Sequence, residues 1–239
     1  MSRRHVVLSW SGGKDSALAL QALRDDPNVE VAALLTSVTR EYERISVHGV
    51  RRALLERQAE RLKLPLFTIE LDPVTTNDAY ETAFLSALER VRRELPTVRT
   101  VAFGDLFLAD VRAYRERLLA STDLVPSFPI WGLDTAKLAR KCVRDGFVAR
   151  VVVVDTTQLD ASFAGHPFDD AFLDELPTTV DPCGERGEFH TFVSDGPGFE
   201  GPVEHEVGEI VLREGRFAYC DLIPTSPQPP AAPLTAAGR

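Results

Sequence analysis

Ser11-Gly12-Gly13-Lys14-Asp15-Ser16 packs two adjacent glycines, a lysine, a carboxylate and two hydroxyls into six residues. A polyanion suits such a run. Backbone N–H groups can approach closely at Gly12 and Gly13, Ser11 and Ser16 add hydroxyls, and the Lys14 charge can offset negative charge developing on a leaving group. Asp15 has two readings of equal standing: a Mg2+ partner, directly or through water, and a carboxylate favoured by the dipole of a helix N-terminus. The run is not a Walker A loop, which places four residues between its glycines and a Ser or Thr after its lysine, and it lacks G-x-G-x-x-G.

A second concentration of chemistry is Glu185-Arg186-Gly187-Glu188-Phe189-His190. General acid–base work needs a group titrating near the working pH, which His190 supplies natively and Glu185 or Glu188 could reach if desolvated. In the alternative reading these charges pair to hold the loop. Elsewhere, Gly104-Asp105 could let backbone and a carboxylate reach a ligand or form a simple turn. Arg112 and Arg115, i and i+3 with Arg117 nearby, could contact phosphate or form a solvated helix face. His48 could cap a helix or face a ligand. Cys183, with no base beside it in sequence, reads as a structural thiol, and Trp131 as core or pocket wall.

The scaffold that must position these groups is legible in the pattern. Val6-Val7-Leu8 predicts a strand before the first loop, and Ser16 to Leu23 carries apolar residues at helical spacing after it. Val29–Ser37, Leu66–Leu71 and Val98–Phe103 predict further strands. Helices are expected through Val50, Leu54 and Gln58 to before Pro65, from about Asp78 to Arg93, and from about Ala109 to Ala120. This alternation predicts an α/β fold with a Rossmann-like parallel sheet, whose carboxyl edge carries the first loop. After Leu124, helices are expected at Lys137–Arg144 and Asp169–Leu176 and a buried strand at Phe147–Asp155. A long ordered loop at Thr178–His190 follows, then a hairpin of Val207–Leu212 and Arg216–Leu222. The expected units are 1–125, a smaller C-terminal α+β domain at 126–223, and a disordered tail at 224–239.

The 239 residues can bury a full core, and 44% hydrophobic with 26% charged residues is globular composition. No apolar run approaches the ~20 residues of a membrane helix, and no signal-peptide core follows the start. Cys142, Cys183 and Cys220 form no C-x-x-C pair, which fits a reducing, cytoplasmic setting without a disulfide framework. A formal charge of −9 argues against a nucleic-acid partner.

Ser11 to Ser16 resembles the SGGxDS loop of the PP-loop ATP pyrophosphatase superfamily, an adenine nucleotide alpha hydrolase-like fold. With Ser46–Gly49, Phe103–Leu108, Tyr114-Arg115-Glu116, Trp131–Thr135, Gly146-Phe147 and above all Asp181–Phe192, the chain from about Val6 to Leu222 resembles the diphthine–ammonia ligase family. The resemblance implies an ATP-binding domain followed by a substrate-binding one. It implies that ATP, with Mg2+, is cleaved between the α and β phosphates to form an acyl-adenylate, which ammonia converts to an amide. The acceptor would be a carboxylate on an elongation factor 2-like protein or a small molecule, and a homodimer is left open. The nucleotide set so implied is Ser9, Ser11, Gly12, Gly13, Lys14, Asp15, Ser16, Thr36, Ser37, His48, Gly104 and Asp105. The expected catalytic set is Lys14, Asp15, Glu185, Glu188 and His190. Arg186 and His190 depart from the loop of established diphthamide enzymes. Two other readings stand beside this one: a PP-loop RNA-modifying enzyme that adenylates a base, and a non-catalytic adenine-nucleotide sensor.

Overall fold

The computed structural model describes residues 3–46 and 48–225. The first part alternates β1 (Arg4–Ser9), α1 (Lys14–Asp25), β2 (Val29–Thr39), β3 (Arg44–Ile45), α2 (Arg52–Leu62), β4 (Leu66–Leu71), α3 (Asn77–Glu94), β5 (Val98–Ala102), α4 (Ala109–Leu119) and β6 (Val125–Ser127). Leu34 and Leu35 of β2 pair with Leu8 and Ser9 on one side and with Leu66 and Phe67 on the other. The parallel order is therefore β4-β2-β1-β5-β6, with β3 antiparallel to the part of β2 that runs past β1. Successive strand side chains point to opposite faces. Val6 and Leu8 accordingly join the core with α1 and α2, while Val7 joins Phe84, Leu88 and Leu119 of α3 and α4.

The second part contains α5 (Thr135–Arg144), β7 (Val148–Asp155), α6 (Asp170–Glu175), β8 (Phe189–Asp195), β9 (His205–Arg213) and β10 (Phe217–Pro224). Its four strands form an antiparallel sheet of order β8-β7-β10-β9. The α/β domain with its mostly parallel sheet and the smaller C-terminal sheet agree with the expected architecture. Some boundaries differ. The expected division at 125/126 falls inside β6, which continues the first sheet. His190 and Phe189 open β8 instead of ending a loop, and Pro224 closes β10. The rest of the expected tail, 226–239, lies outside the described residues. One core runs through both parts, since Val151, Phe189 and Phe192 belong to the same buried cluster as Leu8, Leu18 and Leu54.

A charged clamp also joins them. Asp221 on β10 accepts hydrogen bonds from Arg44 Nη1 at 2.9 Å and from Arg51 Nε at 3.2 Å and Nη2 at 2.6 Å. Burial works against the Asp221 charge, but the Arg51 and Arg44 guanidiniums outweigh it and hold the carboxyl at about 2. Asp221→Asn is expected to cost about 1–2 kcal/mol at neutral pH, a charge-assisted contact discounted for its partly exposed arginines. A depressed folded pKa adds stability above the unfolded value that disappears as pH falls through the folded one. The wild-type advantage should thus shrink between about pH 4 and about pH 2, as read by thermal unfolding of both proteins.

Candidate functional site

β1 delivers the Ser11–Ser16 loop to the carboxyl edge of the parallel sheet, directly before α1. Gly12 is left-handed, with φ at +77°, and a Cβ there would lie 2.8 Å from Gln58 Oε1. Glycine fits both demands. The loop is held from two directions. Gly12 O accepts from Gln58 Nε2 at 2.9 Å and from Val193 N at 2.9 Å, and Lys14 N donates to Thr191 Oγ1 at 3.1 Å. Gln58, fully buried on α2, also donates to Val193 O at 2.6 Å and accepts from Trp10 Nε1 at 2.9 Å. Gln58→Leu would strand the indole N–H and leave both carbonyls short of a donor. We expect a loss of about 2–4 kcal/mol in denaturant unfolding, the cost of one or two buried unsatisfied groups.

A cavity of about 620 Å³ opens at this edge. Ser9 lines it from the end of β1, Ser11, Asp15 and Ser16 from the first loop, Thr36 and Ser37 from the end of β2, Gly104 and Asp105 from the end of β5. His48, Glu185 and His190 line it as well. Gly104 lies tight against the loop, since a Cβ on it would come within 3.0 Å of the Asp15 backbone. Thr75, Asn77, Tyr80 and Tyr114 also line it and went unnoticed in the sequence as site residues, whereas Arg115 lines the cavity and Arg117 is exposed at the end of α4. Arg112 instead stacks 4.9 Å from both the Phe128 and the Trp131 ring. Trp131 does not line the cavity.

Buried polar side-chain atoms normally find partners. Among the described residues six do not, and five of these belong to the cavity wall: Asp15 Oδ1, Thr36 Oγ1, His48 Nδ1, Asp105 Oδ2 and Arg115 Nε. Arg115 Nε and Asp105 Oδ2 are 3.7 Å apart, beyond hydrogen-bond reach. The concentration of unspent donors and acceptors at one edge suits a highly polar ligand.

The expected acid–base residues separate physically. Burial pushes Glu185 up to about 7, against the Leu106 and Phe107 N–H groups that its Oε1 accepts at 2.7 and 3.4 Å, and with help from Asp15 and Asp105. Glu185 is thus a carboxyl that titrates near neutrality. His190 was expected to do so natively; instead burial, then the Lys14 charge, lowers it to about 4, which leaves the ring neutral at physiological pH. Glu188 is 1% exposed and outside the cavity lining. Its two oxygens accept the Asp181 and Arg186 N–H groups, each at 2.9 Å, so it holds the loop in place of handling acceptor protons.

Lys14 also departs from expectation. It is 1% exposed and points away from the cavity into the second part of the chain, where Nζ meets Asp15 Oδ2 at 2.9 Å and the Cys183 carbonyl. Burial opposes its charge, but Asp15 outweighs this and the ammonium pKa is raised. Gly12 and Gly13 likewise shape the loop from behind the cavity wall. Cys183 donates to the Thr135 carbonyl at 3.3 Å, and burial raises its thiol pKa, as a structural thiol requires.

Asp15 and Asp105 both line the cavity, and each has a buried carboxylate oxygen without a hydrogen-bond partner, that of Asp105 lying 3.7 Å from Arg115 Nε as an ion pair. No group of three or more His, Cys, Asp or Glu among the described residues could hold a metal ion alone. Mg2+ fits this set well, because it commonly takes one or two carboxylates, with substrate phosphates and water completing its octahedron. No helix among the described residues is long and apolar enough to cross a membrane.

Residues 4–123 match the model of the diphthamide synthase N-terminal domain, and residues 134–221 match that of the diphthamide synthase C-terminal domain. The diphthine–ammonia ligase of Homo sapiens is 27% identical over 234 residues, covering 87% of this chain and 85% of its own length. Those of Bos taurus and Danio rerio are 26% identical over 232 residues and 28% over 233 residues, covering 86% and 87% of this chain and 84% and 88% of their own.

Proposed function

Because the chain belongs to the diphthamide synthase family, we propose that it is an ATP-dependent amide ligase that joins ammonia to an acceptor carboxylate. The acceptor carboxylate attacks the α-phosphorus and pyrophosphate departs. Ammonia then attacks the acyl carbon, AMP leaves, and the surplus ammonium proton passes to a base.

The observation that carries this reading is the set of five buried polar atoms without a hydrogen-bond partner on residues around one cavity, at the edge where a parallel sheet presents ligands. Ser11, Ser16 and the N-terminus of α1 would receive the pyrophosphate portion. Thr36 and Ser37 would lie along the adenosine, with Gly104 and Asp105 at the ribose or α-phosphate. Asp15 and Asp105 would hold Mg2+, which when bound supplies positive charge against the phosphate oxygens. Glu185 would take the proton from the attacking nitrogen, since its carboxyl titrates near neutrality.

Incubation with ATP, Mg2+, ammonium and elongation factor 2 bearing diphthine is the direct test. AMP and pyrophosphate should form one for one with new amide on the factor. ADP as the nucleotide product would dismiss the chemistry, and AMP formation indifferent to the factor would dismiss that acceptor.

A further inference from the structure

His48 and His190 face each other across the cavity end of the loop, their rings stacked 4.5 Å apart at 24°. Part of each ring faces the cavity, and the rest is surrounded by protein. His48 approaches the loop itself, for a Cβ on Gly13 would lie 3.2 Å from its Cε1. His190 precedes Thr191, whose hydroxyl receives the first N–H of α1. The pair therefore borders the N-terminus of a twelve-residue helix whose own N-cap residue, Gly13, makes no side-chain cap. His48 Nδ1 is buried there without a partner. A neutral imidazole carries an N–H on one ring nitrogen and a lone pair on the other, and only the imidazolium carries an N–H on both.

A lone pair is a poor neighbour for phosphate oxygens, and an N–H is a good one. We propose that the stacked His48–His190 pair is a proton-coupled phosphate contact: it takes up one proton as the ATP phosphates enter, and the imidazolium so formed donates from Nδ1 of His48 to them. This rests on the ATP-binding reading above and adds to it a second anchor, outside the glycine loop.

Local electrostatics explains why the proton comes with the nucleotide. Burial and the Lys14 charge lower both rings beforehand, and at His48 the His190 ring adds to this. Asp15 on α1, Asp105 after β5 and Glu185 in the C-terminal loop are the cavity carboxylates, and Arg115 of α4 is the facing cation. Mg2+ would occupy the attraction of Asp15 and Asp105, so the charge that turns the balance is that of the phosphates. At 4.5 Å the two rings repel as cations, which limits the uptake to a single proton.

The proposal is tested by calorimetry of α,β-methylene-ATP binding in excess Mg2+, in two buffers of different ionisation enthalpy. About one proton should be absorbed near neutral pH, and affinity should rise about tenfold per pH unit from about pH 8 down to about pH 6. In Glu185→Gln, which removes the cavity carboxyl that titrates at about 7, the uptake should persist, whereas adding His48→Gln, which still offers an amide N–H, should give binding with a flat pH profile and without proton uptake. Tight wild-type binding with no difference between buffers overturns the proposal and leaves the ATP reading intact. Uptake that persists when His48→Gln is combined with Glu185→Gln also overturns it. Failure of the wild type to bind the analogue at all would overturn the ATP reading, and this inference with it.

Discussion

Glu185→Gln is expected to lower acceptor-dependent AMP formation by about 10²–10⁴, the usual cost of losing a general acid–base group. The amide replacement preserves size and can still accept the Leu106 N–H, so the loop should stay in place. Its proton chemistry disappears. A base works deprotonated, and the folded carboxyl sits at about 7, so the Glu185 contribution grows as pH rises through about 7 and is absent well below it. Ammonium also releases ammonia as pH rises, and both proteins share that dependence. The diagnostic quantity is therefore the ratio of wild-type to variant rate, which should climb through neutrality and then level off. A ratio that stays constant with pH would show that Glu185 acts only by positioning the Leu106–Phe107 backbone. ATP affinity should change much less than rate.

Sequence revealed the scaffold wherever a run was apolar and long enough to have one period. β1, β2 and β7 were visible this way, because buried parallel or central strands read as nearly continuous Val, Leu and Ala, while β4 and β5 showed through shorter β-branched and apolar stretches bounded by turn residues. β3 and β6 span two and three residues, too short for any period. β8 was missed because it begins inside a Gly-rich, charged segment and is buried on nearly every residue, so alternation never shows. Among site residues, those on turns after strands were legible through glycine chemistry. Gln58 was not. Its partners lie 48, 46 and 135 residues away, and one polar residue among the many on an amphipathic helix looks the same whether it faces solvent or a backbone loop. Glu185 and Glu188 show the same limit from the other side. They are identical residues three apart on an irregular segment, and only the path of the chain turns one to the cavity and the other to backbone N–H groups.

Lys14→Met should both abolish turnover and destabilise the fold, whereas a lysine serving only a bound polyanion would leave the empty protein as stable as wild type. The ammonium is enclosed by Asp15, the Cys183 carbonyl and the rings of Phe168 and Phe189, 5.6 and 5.3 Å from Nζ. Removing it leaves the Asp15 carboxylate without its counter-charge in a site where burial already disfavours ionisation. Breaking a buried pair from one side costs about 3–5 kcal/mol. That is a large part of the 5–15 kcal/mol typical of a folded domain. Methionine fills most of the lysine's volume, which separates the charge effect from a cavity. Lys14→Met combined with Asp15→Asn removes both charges together, and much of the lost stability should return, because the cost lies in the unpaired partner. Turnover should not return, since the loop would then lack the carboxylate that faces the cavity. Chemical denaturation of the two single variants and the double variant supplies the cycle. If Lys14→Met unfolds at the wild-type midpoint, the buried pair contributes nothing, and Lys14 is to be read as a phosphate ligand.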